Sequence, residues 1–299
     1  MTRTSTLESY HERMVRALVH IQGHLDEPLP LEDLAAVACF SPFHFHRVFR
    51  GMVGESVKEH VRRLRLERAA ERLKLSAQPV TGIAFDAGYE THESFTRAFR
   101  AMFGVPPSEY RENHRPLEFQ PAPSGVHFTG DGRVAHFEGP ARREPPLDVR
   151  IERLDALHVA FVRHVGPYDA VGAAWGKLMS WAWPAGVFGP ATHMLGICHD
   201  DCEITPPEKL RYDAAITVPA NVVAQGEIGI QETEPGEYAA VTHRGPYSRL
   251  GETYARLCGE WLPSSGAELR SAAPLEFYLN SPQNSPPERL LTRILLPLA

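Results

Sequence analysis

Apolar residues near the start of the chain recur at the spacing of a helix face. In the opening segment Leu7, Met14, Leu18, Ile21 and Leu25 fall on one side, and Ser5 followed three residues later by Glu8 matches a capping box. Further short segments of the same period follow, and then the pattern breaks. Between 116 and 146 stand Pro116, Pro121, Pro123, Gly125, Gly130, Gly132, Gly139, Pro140, Pro145 and Pro146; a stretch so rich in residues that remove donors or loosen the backbone cannot sustain a helix. It reads as a linker, with a small hairpin where 126–128 and 134–137 flank a turn at 129–132. Beyond it short strand-like runs appear. The pattern predicts two domains of different class: an all-α domain over 1–115 and an α+β domain over 147–299, joined by 116–146.

The helical part repeats itself. Phe45-His46-Arg47-Val48-Phe49-Arg50-Gly51-Met52-Val53-Gly54 returns fifty residues later as Phe95-Thr96-Arg97-Ala98-Phe99-Arg100-Ala101-Met102-Phe103-Gly104, with six of ten positions kept. Each copy follows a short helix and a tight turn. In the first, 31–38 leads through Cys39-Phe40 to Ser41-Pro42, an N-cap and a first helical residue; in the second, 80–87 leads through Gly88-Tyr89-Glu90 to a Thr91 cap. Ala35 and Ala84 are small enough for two helices to cross closely. Gly88 can supply a positive φ at the turn, for which Cys39 in the matching place is less suited.

On the second helix of each copy, Phe45, Val48, Phe49 and Met52, and likewise Phe95, Ala98, Phe99 and Met102, fall at i, i+3, i+4 and i+7 and are predicted to be buried. The opposite face carries Phe43, His46, Arg47 and Arg50 in the first copy and Glu93, Thr96, Arg97 and Arg100 in the second. An Arg near the start of such a helix can fork onto a guanine edge in the major groove, and the next Arg can reach phosphate. Two such helices in one chain suit successive major grooves, about 34 Å apart. One copy alone reads as readily as an amphipathic hairpin with a solvated Arg face; the duplication favours DNA reading.

Residues 8–114 resemble the DNA-binding domain of the AraC/XylS family of bacterial transcription regulators, down to the ending Phe103-Gly104-Val105-Pro106-Pro107-Ser108-Glu109-Tyr110-Arg111. The resemblance implies seven helices, a long one over 56–75 joining two helix-turn-helix motifs. It also implies base and phosphate contacts from the early turns of the third and sixth helices, here Phe43, His46 and Arg47, then His92, Glu93, Ser94 and Arg97. Pro42 replaces a polar residue that some members carry, which leaves one such contact without its side chain.

The α+β part is duplicated too. Val149-Arg150-Ile151 and then 158–168, ending Gly166-Pro167-Tyr168, match Ile228-Gly229-Ile230 and then 238–247, ending Gly245-Pro246-Tyr247; Pro206-Pro207-Glu208-Lys209-Leu210 is echoed by Pro286-Pro287-Glu288-Arg289-Leu290. Each half runs strand, strand, Gly-Pro-Tyr turn, helix, strand, strand. Two halves paired back to back would leave a groove along a pseudo-two-fold axis. Tyr168, Trp175, Trp181, Trp183, Phe188, Tyr212, Phe277 and Tyr278 are available to line it, although most such residues in any domain are core.

Glu276 stands apart. Strand alternation in 274–279 puts it on one face with Tyr278, while Leu275, Phe277 and Leu279 face the other way. A carboxylate there either meets solvent or sits in the groove as counter-charge to a cation, where a close ion pair gains about 4 kcal/mol before desolvation is subtracted. Residues 147–299 are similar to the GyrI-like, or multidrug-regulator, effector-binding domain, and Glu276 occupies the position of that family's ligand-binding glutamate. The resemblance implies recognition of a lipophilic, often cationic compound, with Tyr278, Tyr212, Tyr168, Trp175 and Phe188 as neighbouring walls.

Composition narrows the remaining classes. With 43% hydrophobic and 23% charged residues the chain is globular, and its net charge of −6 is uneven: residues 1–115 hold 16 Lys/Arg against 15 Asp/Glu, so the acidic excess lies beyond them. DNA contact must therefore come from a local stripe. No run approaches the ~18 apolar residues of a membrane span, and the start lacks a continuous apolar stretch, so the expected location is the cytoplasm, with no membrane partner. Four cysteines are too few and scattered for a disulfide framework, and Cys198-His199-Asp200-Asp201-Cys202 lacks the spacing of a zinc knuckle, so neither a metal nor another cofactor is expected.

The expected function is thus a ligand-responsive regulator whose partners are double-stranded DNA, a small-molecule effector and RNA polymerase. Two alternatives stay open. One is a GyrI-like hydrolase in which Glu276 acts as general base on water beside Tyr278 or Tyr212; with no nucleophile, adjacent base and orienting group in view, no catalytic residue is assigned. The other is a DNA-binding protein whose C-terminal domain binds a protein.

Overall fold

The computed structural model describes residues 3–113, 116–140, 145–201 and 204–299, the side chains of 3–7 and Phe43 excepted. Two compact units emerge, one comprising Met1–Arg143 and Cys258–Pro263 and the other Glu144–Leu257 and Ser264–Ala299. The first contains α1 (Arg3–Gly23), α2 (Leu31–Val37), α3 (Pro42–Val53), α4 (Val57–Leu75), α5 (Val80–Asp86), α6 (His92–Phe103) and α7 (Pro107–Glu112). Since α1 already begins at Arg3, Ser5 lies inside the helix and not at its cap. The amphipathic patterns act as expected of them: Met14, Leu18, Ile21, Phe45, Val48 and Phe49 are fully buried around the first helical pair. Around the second, Phe95 and Phe99 pack with Leu73, Ile83, Ala84 and Tyr110. The long α4 is started by a complete capping box between Ser56 and Glu59 and runs between the two clusters.

The two helix-turn-helix turns share one geometry. Phe40 N donates to Ala35 O at 2.9 Å and Tyr89 N to Ala84 O at 3.1 Å, a closure that puts the preceding residue in the left-handed region, with φ +55° at Cys39 and +80° at Gly88. A Cβ in that region crowds the following carbonyl. Replacing Cys39 by Gly is therefore expected to stabilise the first unit by about 1 kcal/mol, and thermal unfolding followed by helical circular dichroism checks it; a lower midpoint would mean that the thiol's own contacts outweigh the strain.

Part of the Pro- and Gly-rich segment folds onto this unit. The turn at 129–132 forms, with Gly132 N donating to Thr129 O at 3.1 Å, but among the described residues no strand ladder extends from it. The reason lies in where the main-chain groups go. Val126 O accepts from Arg63 Nη1 at 2.9 Å, and Phe128 N donates to Glu67 Oε2 at 2.8 Å. His127 O accepts from Gln22 Nε2 at 2.6 Å. Groups committed to helix side chains cannot also pair across a hairpin.

The same side chains belong to an ionic network on α4. Arg63 bridges Glu55 and the fully buried Glu67, and His60 Nδ1 donates to Glu55 Oε1 at 2.8 Å. Burial alone would raise the Glu55 carboxyl, but the hydrogen bonds and charges of His60 and Arg63 overcome it and bring the pKa down to about 2. A carboxyl depressed in the folded state stabilises fully above its unfolded pKa, about 4.3, and loses that contribution as pH falls toward the folded value. The difference is worth about 3 kcal/mol. Urea unfolding of wild type and Glu55→Gln is expected to differ by that order at pH 7, with the gap closing between pH 4.5 and 2; a gap that does not change with pH would assign the linkage to other groups.

The second unit comprises β1 (Arg150–Leu154), β2 (His158–Val165), α8 (Gly172–Ala182), β3 (Met194–Cys198), β4 (Arg211–Thr217), β5 (Gly229–Glu232), β6 (Gly236–Arg244), α9 (Leu250–Arg256), β7 (Leu275–Tyr278) and β8 (Leu291–Pro297). Its antiparallel strands form one sheet in the order β1-β6-β8-β7-β3-β4-β2-β5. That order is its own mirror when the halves are exchanged. The halves meet edge to edge through β3 and β7, not back to back, and each lends its first strand to the other: β1 pairs with β6 and β5 with β2. Joining at the centre leaves two fewer open sheet edges than two separate halves would have. The face that α8 covers gathers Ala160, Val162, Leu178, Tyr212, Ala214 and Ile216. The other face holds Val159, Leu195, Ala215, Tyr238 and Leu275.

Candidate DNA-reading helices and a buried carboxylate site

In both motifs the second helix is framed alike. The Ser41 side chain accepts from His44 N at 3.3 Å and that of Thr91 from Ser94 N at 3.1 Å; Gly54 and Gly104 end the helices, each at φ 81°. On α6, His92, Glu93, Arg97 and Arg100 are exposed, while Ser94 and Thr96 are half-buried and Ser94 Oγ donates to Thr91 O at 2.8 Å. On α3 the Phe43 side chain lies outside the described residues. His46 and Arg47 are 2% and 8% exposed, against the open face expected of them, and Arg50 is half-buried. The two copies share helix geometry, and on α6 the cationic residues Arg97 and Arg100 are exposed.

The second site centres on Glu276. In β7 it stands directly across from Gly196 of β3. The flanking pairs, Leu195 with Phe277 and Ile197 with Leu275, make this pair the pivot of the duplicated sheet. A side chain at 196 is excluded by the site itself, because a Cβ there would lie 2.6 Å from both the Tyr212 and Tyr278 hydroxyls. Glu276 is 6% exposed, and both its oxygens accept phenol protons: Tyr254 Oη donates to Oε1 at 3.1 Å and Tyr278 Oη to Oε2 at 3.0 Å.

Proton counting orients the rest of the chain. The Tyr278 proton is committed to Glu276, so in the 2.8 Å bond between hydroxyls Tyr212 must donate to Tyr278, and Trp175 Nε1 donates to Tyr212 at 3.2 Å. Each bond polarises the next toward the carboxylate. Burial, with the Glu276 charge added, pushes the Tyr278 phenol well above its ordinary value and the Tyr247 phenol up, and burial does the same to Tyr212. These phenols stay neutral donors at physiological pH. Trp175 and Tyr247 meet the Tyr278 ring edge-on, with centroids 5.7 and 5.4 Å away.

The structure thus brings Glu276, Tyr278, Tyr212 and Trp175 together. Tyr168 flanks Tyr212 with ring centroids 5.8 Å apart, but donates its hydroxyl to Asp200 O at 2.7 Å. Phe188 packs against Trp183, 4.8 Å between centroids. Tyr247 and Tyr254 were not among the residues singled out, yet the repeat carries the signal: they stand 79 positions after Tyr168 and Trp175. From the Cys198–Cys202 motif, His199 pairs with Asp213 at 2.8 Å and Asp200 with Arg211 at 2.9 Å. Cys202 lies outside the described residues.

Two helix-turn-helix motifs, together with a duplicated sheet that buries a carboxylate among aromatic rings, define a class, that of DNA-binding proteins with a ligand-binding domain. Comparison with known proteins places the chain within it. The family described as GyrI-like small molecule binding domain matches residues 147–299, and a helix-turn-helix domain family matches residues 34–113. The chain belongs to the GyrI-like family and carries an AraC-type helix-turn-helix domain. The Right origin-binding protein of Escherichia coli (strain K12) is 36% identical over 96 residues, 32% of this chain and 33% of that protein. The regulatory protein SoxS of Salmonella typhimurium is 33% identical over 102 residues, 34% of this chain and 95% of that protein. The chain thus spans about a third of the length of the first curated relatives it matches. The crystal structure of the EcmrR C-terminal domain superimposes with a TM-score of 0.43 at 18% identity, covering 51% of this chain and 98% of that one. No helix among the described residues is long and apolar enough to cross a membrane.

Proposed function

We propose that the protein is a sequence-specific transcription regulator of the cytoplasm. In this reading the domain over 1–115 reads DNA, and the domain over 147–299 binds a lipophilic monocation against Glu276. The observation that carries the ligand reading is a carboxylate buried among aromatic rings, which, among the described residues, accepts phenol protons and forms no ion pair. Such a site stabilises an anion yet leaves its charge uncompensated, so an apolar cation gains both ring contact and charge pairing. An effector acts on DNA affinity or on polymerase contact only if it binds two arrangements of the protein unequally.

Binding, not turnover, is the reading we favour. Both Glu276 oxygens accept phenol protons, an arrangement that fixes the carboxylate as a ligand contact, whereas hydrolysis needs a carboxylate that holds and orients a water. The test is fluorescence anisotropy of the full chain on duplexes it selects from a random library, across a salt series, with an aryl quaternary ammonium ion or its neutral isostere. Salt-sensitive specific binding altered by the cation alone supports the proposal. Stable DNA affinity at every cation concentration, or conversion of the added compound to product, counts against it.

A further inference from the structure

We infer that the 119–140 segment is a strap that fixes the two helix-turn-helix motifs against each other, so that Gln22 and Glu67, which hold it, are positioning residues that set the half-site spacing the protein reads. The inference rests on the DNA-reading role proposed above. Its first support is the path of the chain. Phe119 packs into the cluster of the second motif, and the segment then crosses α4 and reaches the first. There Pro123 comes so close to the end of α3 that a Cβ on Gly54 would lie 2.7 Å from it, and Phe137 meets His11 of α1 with rings 5.0 Å apart. One continuous piece of backbone therefore touches both motifs and the helix between them.

The second support is how it is held. Ser124 and Val126 are buried, and Glu138 N donates to Ser124 O at 3.0 Å, closing the strap on itself. The Glu67 carboxylate, fully buried, accepts from Phe128 N at 2.8 Å and from His127 Nδ1 at 3.0 Å. Gln22 grips both sides of the same turn, donating to His127 O and accepting from Thr129 N at 3.4 Å. A main-chain N–H held by a buried carboxylate is costly to separate from it, because the donor loses its partner on release. A passive linker has no need of such anchoring. A single helix, α4, can bend or twist under load; a second connection on its flank removes that freedom, and the angle between α3 and α6 then fixes which groove separation both can occupy.

The experiment uses the full chain and three duplexes: the one it selects, and versions with the spacer between half-sites lengthened or shortened by two base pairs. Wild type is expected to prefer the native spacing by at least tenfold. Val126→Asp, which puts a carboxylate where the side chain is 2% exposed, and Gln22→Ala are each expected to reduce that preference below threefold, with faster amide exchange over 124–128. A purely structural role would lower affinity for all three duplexes together and leave the ratio intact, so an unchanged ratio despite faster exchange overturns the inference. Unchanged exchange in both variants overturns the claim that these contacts hold the strap. If Val126→Asp loses its helical signal, Gln22→Ala decides alone. Failure of wild type to bind any duplex specifically refutes the DNA-reading role instead.

Discussion

Glu276→Gln is expected to weaken binding of an aryl quaternary ammonium ion by at least about thirtyfold, while the neutral isostere of the same shape binds both proteins within about threefold. The glutamine keeps the volume and an oxygen that Tyr278 or Tyr254 can still donate to, so the substitution removes charge and little else. Removing one member of a buried, hydrogen-bonded charge pair costs about 2–5 kcal/mol, and the burial of Glu276 puts it in that regime and not among surface pairs worth under about 1 kcal/mol. Isothermal titration with the two ligands reads the result directly. Equal losses for cation and isostere would show that the site selects shape alone; no loss for either would remove Glu276 from recognition altogether.

The second large effect concerns α6. Arg97→Ala is expected to cost about 1–3 kcal/mol in specific DNA binding, if its fork meets a guanine edge, with the fold unchanged because the side chain is exposed. Arg100, one turn on and also exposed, suits phosphate; its removal is expected to weaken binding to all duplexes alike and lower the salt slope by about one. Anisotropy titrations at several salt concentrations separate the two behaviours. The matched change at Arg47 completes the comparison, since α3 presents that residue buried. Unchanged affinity in both Arg47→Ala and Arg97→Ala would sink the assignment of this helix face to DNA.

What was legible in the sequence follows from how local each signal is. Phe45 with Phe49, and Phe95 with Phe99, declare a buried helix face by spacing alone, and Ser41 and Thr91 mark starts because a cap acts within one turn. The strand, helix and strand order of each half was equally readable from its repeat. The exchange of β1 and β5 was not, since pairing between strands some eighty residues apart leaves no mark in either one. Docking of 124–128 was hidden for a different reason: its contacts are made by main-chain N–H and C=O groups, which every residue carries. Tyr254 escaped because its counterpart in the other half is Trp175, a change of side chain that conceals the shared position.

The pairing of Gly196 with Glu276 has a consequence for how such a pocket can arise. A symmetric dimer of identical half-domains would place the same residue on both sides of the axis. Two glutamates there would face each other across adjacent strands, a destabilising arrangement that would force one to take up a proton; two glycines would leave the aromatic walls with no charge to serve. A single carboxylate on the axis, with no proton to share, requires two halves that differ in sequence at this position, as those of this chain do. The glycine is therefore as much a part of the site's charge selectivity as the carboxylate.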